Sequence, residues 1–169
     1  MKQNKFERLL QHLLHPKLRV QRYFPTEELQ RISRSIGQSE QFHSGQIRFV
    51  VESSMPATAI FNGITPRQRA WQWFAELGVW DTEHNSGVLI YISFADHAVE
   101  IAADRGIAAK VPQTEWQRIC GIIEEAFRRQ AYTSGLEHGL QETDLLLRHH
   151  ARDGVSDGPN ELPDEVVLR

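Results

Sequence analysis

The chain has 169 residues, of which 40% are hydrophobic and 24% are charged, and its formal net charge is −3. This length suffices for one domain with its own apolar core. The negative charge argues against nucleic acid as a partner, because a protein that follows phosphates needs a basic surplus. The single cysteine, Cys120, excludes an internal disulfide and a cysteine-rich zinc site. With no apolar run of bilayer length and no secretion signal, a cytoplasmic location is expected.

Residues 1–22 make a basic amphipathic segment. Six basic residues stand against one acidic residue, and apolar residues recur at helical spacing: Phe6, Leu9, Leu10, Leu13 and Leu14. This pattern is typical of a helix that rests on an anionic membrane, here at its inner face, or that docks on a partner protein. The same pattern is expected of a helix that covers the domain's own core. Both interpretations stay open.

An α/β domain is predicted over residues 23–150. Its helices are expected over 26–39, 65–77, 113–129 and 134–150, and its strands over 46–53, 87–94 and 97–103. Two helix starts carry capping boxes, from Thr65 to Gln68 and from Ser134 to Glu137. The strand at 87–94 is apolar on both faces, which is typical of a strand between two helical layers. Only Ala95 and Asp96 connect it to the next strand, and so short a connection predicts an antiparallel hairpin.

The order of these elements predicts an α/β fold, a three-layer α/β/α sandwich around a small mixed sheet of three to four strands. Residues 151–169 differ in composition from the domain that precedes them. They are acidic and contain two prolines and two glycines without an apolar period. This composition predicts a disordered tail.

The loop before the central strand gathers polar side chains. Asp81, Glu83, His84 and Asn85 offer oxygens and one imidazole within five residues. Hard cations such as Ca²⁺ or Mg²⁺ bind clusters of carboxylate and carbonyl oxygens, although the spacing is not that of an EF-hand. The alternative is a polar turn whose side chains cap backbone N–H groups.

A second candidate set belongs to the hairpin. Asp96 lies in its turn, and Glu100 and Asp104 lie on its second strand and at the end of that strand. Because sites in open α/β sheets gather at strand ends, Glu52 is expected to approach Asp81 or Asp104. The alternative is a solvated sheet edge, where Arg48 pairs with Glu52 and Glu100 with Arg105. The sequence contains none of the common phosphate, dinucleotide or nucleophile motifs, so no organic cofactor is expected.

Several short motifs in a fixed order resemble the TPM domain family over about residues 24–150. They are Asn85 to Leu89 (Asn-x-Gly-Val-Leu), the hairpin with Asp96, the step Gly106-Ile107, and Phe127-Arg128 before Tyr132 and Gly135-Leu136. The family is named for a thylakoid-lumen protein, a photosystem accessory protein and an animal receptor modulator. This chain looks like a bacterial cytoplasmic branch, with His97 where an Arg is usual and no acidic residue at Ala108.

The resemblance implies an α/β/α sandwich and a role in maintaining membrane protein complexes, with calcium binding or phosphatase activity in some members. Asp81, Asn85 and Asp96 match positions where the family carries polar residues near its acidic site. Two hypotheses follow. The first is an accessory domain that binds a protein partner, with a peripheral membrane contact through residues 1–22. The second is a metal-dependent phosphatase in which Asp81, Asp96 and Asp104 hold a cation that activates water. The candidate metal set is Asp81, Asn85, Asp96 and Asp104, with Glu52, His84 and Glu100 as possible additions.

Overall fold

The computed structural model describes residues 4–151 and 160–169. Within these ranges the chain forms eight α-helices: α1 Lys5–Leu13, α2 Lys17–Gln21, α3 Thr26–Ser39, α4 Ala57–Phe61, α5 Pro66–Glu76, α6 Arg105–Ala108, α7 Gln113–Arg128 and α8 Tyr132–His150. It also forms four strands: β1 Gln46–Glu52, β2 Gly87–Ser93, β3 Ala98–Ala103 and β4 Val167–Leu168. No helix in the described ranges is long and apolar enough to cross a membrane.

The strands make one mixed sheet in the order β3-β2-β1-β4. β2 and β3 pair antiparallel, as the short hairpin connection predicts, while β1 pairs parallel with both β2 and β4. The register sets Gln46 opposite Gly87 and Glu52 opposite Ser93. The carboxyl ends of β1 and β2 therefore lie at the same edge of the sheet.

Apolar side chains pack on both faces of the sheet and confirm the three-layer sandwich. Ile47, Phe49 and Val51 of β1 point into a cluster with α3, α7 and α8. Val50 points to the opposite face, into a cluster with α4 and α5 that Leu9 of α1 also contacts. Successive side chains of β1 thus pack into two separate cores, one on each face of the sheet, as expected for a strand covered on both sides.

Local signals place some helix ends and miss others. The capping box from Thr65 to Gln68 is present at the start of α5, with the proline at its first position. The capping box predicted from Ser134 to Glu137 is wrong, because α8 begins at Tyr132, two residues before that serine. The Tyr132 ring lies 5.3 Å from the Phe94 ring and 5.2 Å from the Phe127 ring, and this aromatic packing fixes the start of the helix.

The prediction of a disordered tail is wrong for residues 160–169. They run along the outer edge of β1, where β4 adds a fourth strand and Leu162 is buried. The prediction was based on composition, and the few apolar residues of this segment have no helical period. They are nevertheless sufficient for a two-residue strand at the edge of the sheet. The rest of the predicted tail, residues 152–159, lies outside the described ranges.

A close backbone contact at the start of β2 gives a stability prediction. A Cβ added to Gly87 would lie 2.0 Å from the carbonyl oxygen of Val79, so Gly87→Ala forces the loop away from the strand. We expect the free energy of unfolding to fall by about 1–3 kcal/mol, measured by urea denaturation. The matched control is Gly121→Ala in α7, where no described atom lies within 4 Å of the added Cβ. That variant is expected to gain about 0.5–1 kcal/mol, and equal losses in both would contradict the contact.

Candidate functional site

Two groups of polar side chains lie at opposite ends of the parallel pair β1–β2. The carboxyl-end cluster is built around two acidic residues and comprises Arg8, His12, Glu52, Arg69, Trp73, Tyr91, Ser93 and Asp96. The amino-end cluster comprises Asp81, His84, Asn85, Asp104 and Arg105, around the loop before β2 and the end of β3. These two clusters hold most of the residues that the sequence analysis singled out.

Glu52 is the buried anchor of the carboxyl-end cluster, with its side chain only 4% exposed. Its carboxylate accepts hydrogen bonds from Arg69 at 2.6 and 3.0 Å and from the Tyr91 hydroxyl at 2.6 Å. The Trp73 indole N–H donates a further, longer bond at 3.3 Å. Burial, and then the neighbouring Glu52 carboxylate, raise the pKa of Tyr91. Every oxygen of Glu52 is thus engaged, so the residue joins β1, β2 and α5 instead of offering a free base.

Asp96 occupies the turn of the hairpin and collects three side-chain donors. Arg8 donates from Nε at 2.8 Å and from Nη2 at 2.9 Å, and the Ser93 hydroxyl donates at 2.8 Å. His12 Nε2 lies 3.2 Å from the same carboxylate. Burial alone would raise the pKa of Asp96, but the hydrogen bonds from His12, Arg8 and Ser93 outweigh it and hold this pKa well below its usual range.

The tautomer of His12 follows from its second partner. The backbone N–H of Met55 donates to Nδ1 of His12 at 2.9 Å. Since an N–H group can only donate, Nδ1 accepts and the ring proton sits on Nε2, where it points to Asp96. The ring thus links the hairpin turn to the segment after β1, with only 2% of its side chain exposed.

Helix α1 is held on the domain mainly by its polar side. Besides the contacts to Asp96, Arg8 donates to the Ile64 carbonyl at 2.7 Å, and Lys5 donates to the Phe61 carbonyl at 2.9 Å. The Gln11 amide donates to the Ala95 carbonyl at 2.5 Å. Leu9 is the apolar residue of α1 that packs against the core. The polar face of this amphipathic helix is therefore its docking face.

At the other end of the sheet, Asn85 and Asp104 are brought together by Arg105. Asn85 adopts a left-handed backbone conformation with φ of 50°, and its side-chain oxygen accepts from Arg105 Nε at 3.0 Å. Asp104 caps α6, with Oδ1 accepting from the Arg105 N–H at 2.7 Å. Its second oxygen, Oδ2, is buried and has no hydrogen-bond partner among the described residues. Gly106 allows this approach, since an added Cβ would lie 2.6 Å from the carbonyl oxygens of His84 and Asn85.

Asp81 and His84 belong to the same loop, but both side chains are exposed. The neighbouring Glu83 donates its backbone N–H to Glu161 at 2.8 Å. In residues 4–151 and 160–169, no three His, Cys, Asp or Glu side chains converge as a set that could hold a metal ion. The polar atom of this cluster that is buried without a partner among the described residues is Asp104 Oδ2.

The register separates residues that the sequence analysis placed in one site. Asp104 donates its N–H to Gly87 at the start of β2, whereas Asp96 follows the end of β2. The hairpin pairs six residues on each strand, which puts about 17–20 Å between the two aspartates. The phosphatase hypothesis supposed a single cation shared by Asp81, Asp96 and Asp104. This geometry contradicts it, because Asp96 and Asp104 are too far apart to bind one ion. The expected approach of Glu52 to Asp81 or Asp104 is wrong for the same reason.

The alternative ion pairs are also corrected. Glu52 pairs with Arg69 instead of Arg48, and Glu100 pairs with Arg67 at 3.5 Å instead of Arg105. Both acidic residues point to the face of the sheet that α5 covers, so their partners come from that helix and not from a neighbouring strand. Partial burial, opposed by Arg67, raises the pKa of Glu100.

The residues that complete the carboxyl-end cluster were not identified from sequence. Arg8 and His12 lie four residues apart, which places them on one face of a helix, and that spacing was the available signal. It was outweighed by the adjacent apolar stripe, which suggested the opposite docking face. Arg69 lies four residues before Trp73 in the same way, but nothing local indicates that both reach Glu52.

The comparisons with known proteins agree with this architecture. The family profile described as the TPM domain matches residues 19–144, which is more than half of the chain. The chain therefore belongs to the TPM domain family, and the resemblance in the sequence is confirmed. The matched region contains both clusters apart from Arg8 and His12 of α1. Among curated proteins, none matches the chain significantly.

Two solved structures are similar to this one. The BA42 protein from the psychrophilic bacterium Bizionia argentinensis, solved by NMR, is 26% identical with a TM-score of 0.73. That alignment covers 85% of this chain and 93% of BA42. The N-terminal domain of the cg2496 protein from Corynebacterium glutamicum is 12% identical with a TM-score of 0.55, over 80% of this chain and 77% of that domain. The second likeness shows the fold alone.

The low pKa of Asp96 makes its stabilising effect dependent on pH. In the unfolded chain this pKa is about 3.9, so the stabilisation is complete above about pH 4 and is lost as the pH falls toward the lower, folded value. We expect Asp96→Asn to lower the free energy of unfolding at pH 7 by about 3 kcal/mol, because Arg8 is left buried without its carboxylate.

Urea denaturation of both proteins between about pH 7 and pH 2 checks this expectation, since the difference between them should shrink below about pH 4. Asp81→Asn is the matched control, as its side chain is exposed and its change should stay below about 0.5 kcal/mol. A difference for Asp96→Asn that stayed constant over the whole range would show that the carboxylate is not stabilised by its partners.

Proposed function

We propose that this TPM domain chain is a non-catalytic accessory domain that docks on an anionic membrane surface, at its cytoplasmic face, and supports a membrane-associated protein complex. One observation carries the proposal. Helix α1 is fixed by its polar side, and its apolar side faces solvent. An amphipathic helix in this orientation is built to bind something outside the domain.

Several large apolar residues of α1, the turn after it and α2 are exposed. We call this set the N-terminal apolar surface; it comprises Phe6, Leu10, Leu13, Leu14 and Leu18. Leu13 is 67% exposed and Leu18 is 78% exposed, so the domain leaves most of their area in water. Soluble domains seldom leave so many large apolar residues together in solvent, and such patches mark membrane or protein contacts. The interpretation that these residues cover the domain's own core is not supported by their exposure.

Positive charge surrounds this surface and favours a membrane over an apolar protein groove. Lys17, Arg19 and Arg22 are exposed on α2 and in the turn that follows it, and Glu7 is the one acidic residue of the described positions up to 22. Near an anionic leaflet each basic residue contributes about 1 kcal/mol of attraction. Inserted leucines and peripheral basic residues are the two components by which interfacial helices bind.

The way α1 is held also suits this role. The buried contacts of Arg8 and His12 with Asp96 fix the helix, so its apolar side cannot turn back onto the core. The domain would then meet a membrane in one orientation. A rigidly presented surface also avoids the entropy cost of ordering a flexible helix on binding.

Co-sedimentation with vesicles tests the proposal. The variant Leu13→Ser with Leu14→Ser removes two exposed leucines, and we expect it to bind vesicles of equal parts phosphatidylglycerol and phosphatidylcholine at least about tenfold more weakly than the unaltered chain. Leu145→Ser is the matched control, because Leu145 of α8 is 60% exposed outside the N-terminal apolar surface, and its binding should be unchanged.

Varying the lipid charge separates the contribution of the basic residues to binding from that of the inserted leucines. Vesicles of phosphatidylcholine alone, or added salt at about 0.5 M, should weaken binding of the unaltered chain, since exposed charges are screened over a few Å at that ionic strength. Equal binding by the leucine variant and the control would refute a membrane contact through α1. A contact with a protein instead would show as no vesicle binding by any of the chains.

A divalent cation at the amino-end cluster is a second proposal, favoured by the unpartnered Oδ2 of Asp104. Asp104 precedes Gly106 by two residues, and the backbone at Gly106 lies against the carbonyls of His84 and Asn85. One carboxylate and the backbone oxygens of this short stretch are the candidate ligands for Ca²⁺ or Mg²⁺. Tight binding of the cation is not expected, because the side-chain oxygen of Asn85 already accepts a hydrogen bond from Arg105. Phosphatase activity, the alternative function, would depend on this cation as the activator of water.

Amide NMR spectra recorded during Ca²⁺ and then Mg²⁺ addition test the cation. We expect shifts around residues 81–87 and 104–106 that are lost in Asp104→Asn, with millimolar affinity because the protein supplies few charged ligands. Asp96→Asn serves as the control, because Asp96 lies at the other end of the hairpin and its loss should leave the response intact. Shifts that persist in Asp104→Asn would exclude this oxygen as a ligand.

A further inference from the structure

The outer edge of β1 is covered by a short segment of acidic and apolar residues, 160–169, which we call the C-terminal strap. Its β4 strand pairs two residues, Val167 opposite Val50 and Leu168 opposite Val51. Arg169 extends the pairing, with its N–H donating to Val51 at 2.9 Å and its carbonyl accepting from Ser53 at 2.6 Å. So short a strand contributes few ladder bonds to the sheet it completes.

The other half of the strap is held by a side chain of β1. The Gln46 amide oxygen accepts from the backbone N–H of Glu161 at 3.1 Å and of Leu162 at 3.0 Å. Leu162 itself is 8% exposed and enters the core on the α5 face. β1 thus presents a groove that binds an extended backbone at both ends and takes apolar side chains between them.

A buried cation in this groove has no direct counter-ion. Arg48 of β1 is 5% exposed, and its Nε and Nη1 atoms have no hydrogen-bond partner in residues 4–151 and 160–169. Burial lowers the pKa of Arg48, opposed by the more distant charges of Glu165 and Asp164. No carboxylate of the described chain lies within ion-pair distance of it. Leaving a buried guanidinium without a direct partner is costly, so the site is suited to a closer anion.

Glu40 cannot supply that anion at neutral pH. One of its oxygens accepts from the Ile47 N–H at 2.7 Å, and the other is buried without a partner. Burial raises the pKa of Glu40 to about 8, so the carboxyl is mostly protonated at pH 7. Among the described residues, the acidic groups that act on Arg48 are Glu165 and Asp164 of the strap and then Glu40, all of them at a distance.

We propose that the β1 edge is a strand-addition site for an extended, acidic and apolar segment of a partner protein, and that the C-terminal strap is its built-in, displaceable occupant. The partner segment would place a carboxylate against Arg48 and apolar side chains where Leu162, Val167 and Leu168 lie. Addition of a strand to a sheet edge is a common mode of peptide recognition, in which backbone bonds supply affinity and side-chain positions supply specificity. An occupant that leaves Arg48 incompletely paired is one that a better-fitting segment can replace.

This site gives the proposed accessory role a means of binding a protein, and it does not depend on the membrane contact. The test below uses no lipid, so a failure here and a failure of vesicle binding are separate results. The probe is a peptide with the sequence of residues 160–169 and capped ends, labelled for fluorescence anisotropy. A second peptide carries Asp164→Asn and Glu165→Gln and has the same length without those two charges.

The first variant loosens the built-in occupant. Arg169→Pro removes the N–H that donates to Val51, and we expect the acidic peptide to bind this chain up to about tenfold more tightly than the unaltered chain. The second variant, Arg48→Met, removes the buried cation, and it should fold because an apolar residue replaces an unpaired buried charge. On chains with Arg48 the acidic peptide should bind better than the neutral one, and on Arg48→Met the two should bind alike.

Hydrogen exchange on the unaltered chain gives a measurement without any variant. The amides of Ser53 and Arg169, which bond to or from the strap, should exchange much faster than amides between β1 and β2, because a displaceable strap opens locally. Equal protection of the two sets of amides from exchange would overturn the proposal. Equal binding of the acidic and the neutral peptide to chains with Arg48 would also overturn it, as would no binding of millimolar peptide to Arg169→Pro. If the chain forms a stable dimer that the peptide cannot dissociate, the occupant of the β1 edge is a second copy of this chain and not a partner protein. That result would also overturn the proposal.

Discussion

The orientation of helix α1 depends on the carboxylate of Asp96. That carboxylate is placed by the tight turn between β2 and β3, and it receives donors from two successive turns of the helix, Arg8 and His12. A partly buried carboxylate with three donors is stable as an anion and strongly attracts the cation that approaches it. Once the polar side of α1 is committed to this contact, geometry requires its apolar side to face outward. The exposure of Phe6, Leu10 and Leu13 on α1 thus follows from the docking of its polar side.

The parallel pairing of β1 and β2 is the second constraint. It sends Glu52 and Ser93 to one end of the sheet and leaves the loop 79–87 at the other. The carboxyl ends of parallel strands are where α/β folds commonly place their ligands, yet here both acidic residues at that end are satisfied by protein donors. Among the described residues, the buried charged side chains with an unpartnered atom lie elsewhere: Asp104 at the end of β3, and Arg48 and Glu40 near the strap.

Sequence periodicity predicted the main helices and strands, because each buries a stripe whose spacing is visible locally. The hairpin and the three-layer arrangement followed from one short connection and one strand that is apolar on both faces. A helix predicted between β1 and β2 favours their parallel pairing, which places Glu52 at the opposite end of the sheet from the loop before β2. The donors that reach Glu52 and Asp96 could not be predicted, since they come from helices distant in sequence and no local signal specifies such contacts. The docking face of α1 was ambiguous for a related reason. The partner of Arg8 lies 88 residues away, and its presence reverses the usual inward direction of an apolar stripe.

The two ends of the described chain meet on the same short stretch of backbone after β1. His12 accepts the N–H of Met55, and the strap accepts the N–H of Ser53, two residues earlier. Without these partners both N–H groups would be buried donors with unmade bonds, which is costly. The segment that follows β1 is therefore positioned jointly by α1 and by the strap. Displacing the strap removes one of its two supports and leaves His12 as the other, so α1 keeps this segment in place when the β1 edge is open.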